Sequence, residues 1–124
     1  MSKIVQAVNA MVSNPGKISD VITGEYHNHE IYFRYDDRHK WSMNGSGDSS
    51  SVYYLHYYPG NEELEYIASL EDYNWNDIRH VSYNTKELGT KEAFQSFEEL
   101  YLILQEKIYG MDDVLDDIIN SDSA

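Results

Sequence analysis

Two histidines flanking one asparagine, His27-Asn28-His29, are the first residues of this chain whose spacing suggests chemistry. On a strand, positions i and i+2 face the same way, so the two imidazoles would point together, as they do in some metal sites. His39, His56, His80 or any of many acids would have to complete the set. No second ligand pair has a characteristic spacing, and Asn28 favours a turn, so the expectation is a polar turn and no bound metal. Adjacent carboxylates are plentiful: Asp36-Asp37, Glu62-Glu63, Glu71-Asp72, Glu98-Glu99, Asp112-Asp113 and Asp116-Asp117. General acid–base work needs two carboxyls held in a cleft with their pKa values pushed apart, and nothing in these spacings requires a cleft. Asp112/Asp116 and Asp113/Asp117 would stack one helical turn apart, where like charges weaken a helix slightly. No acidic loop has the glycine and closing glutamate of an EF-hand.

Nucleophilic and phosphate-binding motifs are missing as well. There is no cysteine and no Gly-x-Ser-x-Gly. The Gly45-Ser46-Gly47 stretch lacks the downstream glycine of a dinucleotide fingerprint and the Gly-Lys-Ser/Thr ending of a phosphate loop. The expectation is therefore a protein that is not an enzyme, with no catalytic residue and no cofactor.

The elements that would position these groups read as one domain over 1–124, a normal length for a single core. Ser2 can cap a first helix to about Ser13, with Ile4, Val8, Met11 and Val12 at helical spacing and Asn14-Pro15-Gly16 ending it. Residues 17–23 fit either a short strand or a packed loop. Over 24–43 the pattern is β: Ile31, Phe33 and Tyr35 share one face, Tyr32 and Arg34 the other. Asp36-Asp37 makes a turn, and Trp41 and Met43 return on the core side. Residues 44–51 form a flexible polar loop.

Val52 to Tyr58 is the strongest strand, with Val52, Tyr54, His56 and Tyr58 on one side and Tyr53, Leu55 and Tyr57 on the other. After Pro59-Gly60-Asn61, the alternation of Leu64, Tyr66, Ala68 and Leu70 favours a hairpin partner over a helix for 63–69. Ile78 to Tyr83 is expected to add another short strand. From Thr90 a helix carries Phe94, Phe97, Tyr101, Leu104 and Ile108 in a 3-4-3-4 rhythm to Gly110. A last short helix holds Val114, Leu115, Ile118 and Ile119, and 120–124 should fray. The fold class is α+β: an antiparallel β-sheet of three to five strands, with the N-terminal helix and the C-terminal helices packed on one face. The other face would then expose many tyrosines.

Two features stand above an average composition. The formal net charge is −13, and it is unevenly spread: residues 1–61 have five Lys/Arg against six acids, residues 62–124 four against sixteen. Such a field repels nucleic acid and anionic membrane and attracts basic surfaces. An aromatic strand face without a basic groove does not make a nucleic-acid platform. There are also twelve tyrosines, a residue favoured at interfaces, beside a Ser/Gly/Asn/Asp loop typical of adaptable binding surfaces. The chain lacks a long apolar stretch and lacks cysteine, which implies a cytoplasmic protein.

The order helix (2–13), β-meander (24–69), terminal helices (91–119), with the acids late, resembles the small phage-encoded anti-CRISPR inhibitors of the acidic, nucleic-acid-mimicking kind. The resemblance lies in architecture and charge; it matches no motif and transfers no site. It implies a non-enzymatic protein that docks on a basic protein surface, in a partner that handles nucleic acid, and blocks it with carboxylates placed where phosphates would lie. The acidic patch would be Asp112, Asp113, Asp116 and Asp117. An aromatic contact face would be Tyr32, Tyr53 and Tyr57, exchangeable by register for Tyr54 and Tyr58. The alternatives are an immunity or antitoxin protein neutralising a basic nuclease, and a structural or adaptor protein binding through its tyrosine-rich sheet face.

Overall fold

The computed structural model describes residues 2–26, 29–45 and 52–122, with the side chains of 72, 73 and 122 excepted. The elements run α1 (Lys3–Ser13), β1 (Ile18–Thr23), β2 (Ile31–Tyr35), β3 (His39–Gly45), β4 (Tyr53–Tyr58), α2 (Leu64–Ala68), α3 (Asp72–Trp75), β5 (Val81–Asn84), α4 (Thr85–Leu88), α5 (Lys91–Ile108) and α6 (Met111–Asp122). The five strands form one antiparallel sheet in the order β1-β2-β3-β4-β5. Among the described residues no helix is long and apolar enough to cross a membrane.

Local sequence explains most of these boundaries. Ser2 accepts from the Val5 amide and opens α1, and Thr90 accepts from the Ala93 amide and opens α5. Gly89, at φ 67°, closes α4 in the left-handed region that a side chain resists. Asp36 and Asp37 both have φ 57°, the paired left-handed geometry of a tight turn whose twist suits a hairpin. Asp20 also has φ 54°, inside a register shift in β1 between Ser19 and Ile22. That bulge aims its carboxylate at the Arg34 guanidinium, 2.8 Å away.

The sheet alternates as its pleat demands. Ile31, Phe33, Met43 and Leu55 face α1 and α5, and with Val8, Met11, Phe97, Leu100 and Leu104 they make the main core. Thus α5 buries Phe97, Leu100 and Leu104 fully, while Phe94, Tyr101 and Ile108 are half-buried at its margin. Ser96 donates to Asn9 at 2.6 Å and ties α5 to α1.

The opposite face departs from the sequence expectation. Residues 64–68 are helical, not a strand. Leu64, Ile67 and Ala68 lie at i, i+3, i+4 and are buried, whereas Tyr66, a member of the alternating set, is 54% exposed. With Ile78 and Trp75, this helix covers Tyr32 and Tyr58 in a second, smaller core. The sheet is therefore sheathed on both sides, and the face expected to display tyrosines is largely closed. The strand expected over 78–83 lies at Val81–Asn84, and 18–23 is a strand. Of the expected loop 44–51, Asn44 and Gly45 end β3 and the next six positions lie outside the described residues.

Candidate functional site

The described residues hold three arrangements that could serve a function: a polar network under α2 and α3, an aromatic cleft beside α1, and the surface of α6.

The network begins with Glu30, which precedes β2. Its Oε1 accepts from Asn44 Nδ2 at 2.7 Å and its Oε2 from Ser42 Oγ at 2.5 Å. Because Ser42 donates to the carboxylate, the 2.6 Å contact with Tyr58 must have the tyrosine O–H as donor. Tyr58 Oη in turn accepts from Trp75 Nε1 at 3.0 Å. Burial pushes the Tyr58 phenol pKa upward, so the hydroxyl stays protonated and keeps this direction. Beside the chain, His56 Nδ1 lies 2.7 Å from Ser82 Oγ, and His56 Nε2 lies 3.9 Å from Glu30 Oε2.

Serine, histidine and glutamate in line are the residue types of a nucleophilic triad, but the chemistry runs poorly here. Burial, then the neighbouring His80, lowers the His56 pKa to about 4, so its imidazole is a weak base at neutral pH. The Glu30 oxygens already serve Ser42 and Asn44. Packing of His56 against Trp75 and His80, at ring-centroid distances of 5.3 and 5.8 Å, makes the group part of the second core.

Among the described residues the candidate histidines do not assemble into one metal set. His39 lies on the α1 face of the sheet, away from His56 and His80 on the other. His27 and Asn28 lie outside the described residues. Among the described residues no three His, Asp or Glu side chains are grouped to hold a metal ion.

The aromatic cleft has a volume of about 410 Å³ and lies between α1 and one corner of the sheet. Its floor is Tyr35, His39, Trp41, Tyr57, Val81 and Tyr83, and α1 contributes Ala7, Ala10 and Met11. The small side chains of Ala7 and Ala10 leave space where a larger residue would fill it. Trp41 and Tyr57 meet at 4.8 Å between centroids, tilted by 58°. The Trp41 Nε1 is buried without a hydrogen-bond partner among the described residues.

Against this geometry the expected aromatic face is corrected. Tyr32 is 1% exposed and belongs to the second core, so it is no contact residue on the folded surface. Register sets it across from Ser42, which pairs with His56, on the opposite face from Tyr53 and Tyr57. Tyr57 lines the cleft, while Tyr53 packs against Phe94 and Tyr101. Of the register alternatives, Tyr58 is buried and Tyr54 is exposed. The three candidates do not form one surface.

The four candidate aspartates do come together. Asp112, Asp113, Asp116 and Asp117 are all exposed on α6. At 100° per residue they span roughly 140° of the helix circumference, and Val114, Leu115, Ile118 and Ile119 span the opposite arc. These four apolar side chains are 43–65% exposed. Gly110, at φ 62°, separates α6 from α5, and Tyr109 beside it is 72% exposed. The apolar stripe was visible in the sequence; its lack of cover was not.

Comparison with protein-family models, with curated proteins and with solved structures finds no match.

Proposed function

We propose that this chain is a non-enzymatic binding protein that docks α6 into an apolar groove with a basic rim on a protein that handles nucleic acid, and so blocks that protein. The single observation that carries the reading is the state of α6: one arc bears four exposed aspartates and the other four exposed large aliphatic side chains. An apolar stripe of this size on a short terminal helix marks a contact surface. A twelve-residue helix whose residues 112–121 are all exposed is marginal in water, and burial of the stripe in a partner's groove would stabilise it as helix-in-groove recognition does. The aspartates set the charge of the groove's rim, and the net −13 adds long-range attraction to a basic partner. Carboxylates docked on such a rim occupy positions a phosphate backbone would take, which is how acidic anti-CRISPR inhibitors and nuclease-neutralising immunity proteins are expected to act.

The test is capture of a partner from the native host, followed by binding with purified components. The four aspartates replaced by asparagine should slow association at least tenfold at low salt and flatten the salt dependence. Nucleic acid should compete with the chain for the partner. A ternary complex of chain, partner and nucleic acid, or unchanged affinity of the quadruple variant at both low and moderate salt, would overturn the reading. So would a stable homodimer through α6, which would make the stripe a self-interface.

A further inference from the structure

The aromatic cleft and the sheet edge next to it form a second binding surface, independent of α6. Among the described residues, β5 is the last strand of the sheet and is paired only on its β4 side. Among the described residues, Val81–Tyr83 make no backbone hydrogen bond beyond that ladder. Their outward N–H and C=O groups form an open template for another strand. The same strand supplies part of the cleft: Val81 and Tyr83, one residue apart on one face, line it with Trp41, Tyr57 and His39. Val81 is 46% exposed. A free strand edge whose inward side chains line an adjacent apolar cleft is the arrangement used in strand addition, where main-chain bonds give affinity and alternate side chains enter pockets.

We infer that β5 and the cleft bind an extended peptide segment of another protein, which adds as a sixth strand and places an apolar side chain against Trp41 and Tyr57. Charge selects among possible occupants. A second copy of this chain would bring another −13 to the edge. The charged residues flanking β5 and in the β2–β3 turn (Arg38, Arg79 and Lys86 against Asp36, Asp37, Asp77 and Glu87) leave a small negative balance. The segment that fits is therefore neutral to basic, with apolar residues at alternate positions. A small apolar molecule would fill the cleft and leave the strand edge unused.

The probe is a random dodecapeptide library displayed on phage, panned against the full chain in which Asp112, Asp113, Asp116 and Asp117 are asparagine and the exposed Val114, Leu115, Ile118 and Ile119 are serine, so that neither face of α6 contributes. Enriched peptides should share alternating apolar positions and basic flanks. Bound to the labelled protein, a synthetic copy should shift the amide resonances of Val81–Asn84 and slow amide exchange there by at least tenfold. Val81→Lys, which places a charge on an exposed position of the edge, should weaken the peptide at least tenfold with unchanged circular dichroism. No enrichment, or peptides that shift resonances elsewhere, would overturn the inference. Shifts confined to the cleft with no added protection in β5 would overturn it too, leaving a small-ligand pocket. A peptide that self-associates the protein through paired β5 strands would make the edge a dimer contact and equally refute it. None of these results depends on whether α6 docks a partner.

Discussion

Acidification from about pH 7 to about pH 5 should destabilise the protein through one residue, His56. Its imidazole is packed against Trp75 and His80 and bonded to Ser82, and its pKa falls from 6.5 in a free chain to about 4. The unfolded chain therefore takes up a proton in this window and the native chain does not. With more protons on the unfolded state, stability falls as pH falls; it is fully present above 6.5 and lost progressively toward 4. A shift from 6.5 to 4 makes the protein less stable at pH 5 than at pH 7 by about 1–2 kcal/mol, allowing for partial solvent screening of the ring. Urea unfolding at 25 °C across this range, followed by tryptophan fluorescence, measures it. His56→Gln keeps an amide for Ser82 but does not titrate, and it should flatten the pH dependence by at least ~1 kcal/mol. Equal pH dependence in the two proteins, or a stability that rises toward pH 5, would refute the assignment of a neutral, desolvated imidazole.

Phe97 is fully buried between α1, α5 and the sheet, so Phe97→Ala should cost about 3–5 kcal/mol by urea titration. Tyr58→Phe removes the acceptor of Trp75 Nε1 and the donor to Ser42; a loss of roughly 1–3 kcal/mol is expected, measured the same way. Gly89→Ala forces a side chain to φ 67° at the junction of α4 and α5 and should cost ~1 kcal/mol, read as a lowered thermal midpoint. Replacing Asp112, Asp113, Asp116 and Asp117 by asparagine should leave the thermal midpoint unchanged or slightly raised, because the stacked pairs repel one another and form no ion pair among the described residues.

The fold class was legible because its main core obeys simple periods. The rhythm Phe97, Tyr101, Leu104 and Ile108 could only be a helix, and Ile31, Phe33 and Tyr35 only a strand. The second layer was hidden for a physical reason. Over five residues, Leu64, Tyr66 and Ala68 fit a strand as well as Leu64, Ile67 and Ala68 fit a helix, and only burial against Tyr32 and Tyr58 decides between them. With that helix missed, the far sheet face looked open and its tyrosines looked available. The acidic patch on α6 was readable from i, i+4 spacing alone. The cleft was not, since it joins α1 to four different strands. The chain from Trp75 to Glu30 was equally hidden, as its partners are brought together by strand pairing rather than by spacing.

The sheet and its cover assemble on different schedules. Every ladder joins strands that are consecutive in the chain, so each hairpin can zip as soon as it is made. The α1–α5 contact is different: Ser96 and Asn9 are 87 positions apart. During synthesis, α1 and the first four strands leave the ribosome well before α5 does. Until α5 arrives, Phe33, Met43 and Leu55 have only part of their roof, and the nascent chain carries an oily sheet face that a holdase could bind. Closing that roof is the step that turns a sticky intermediate into the packed native fold, so variants that weaken the α1–α5 seam should lower yield in cells more than their equilibrium cost alone implies.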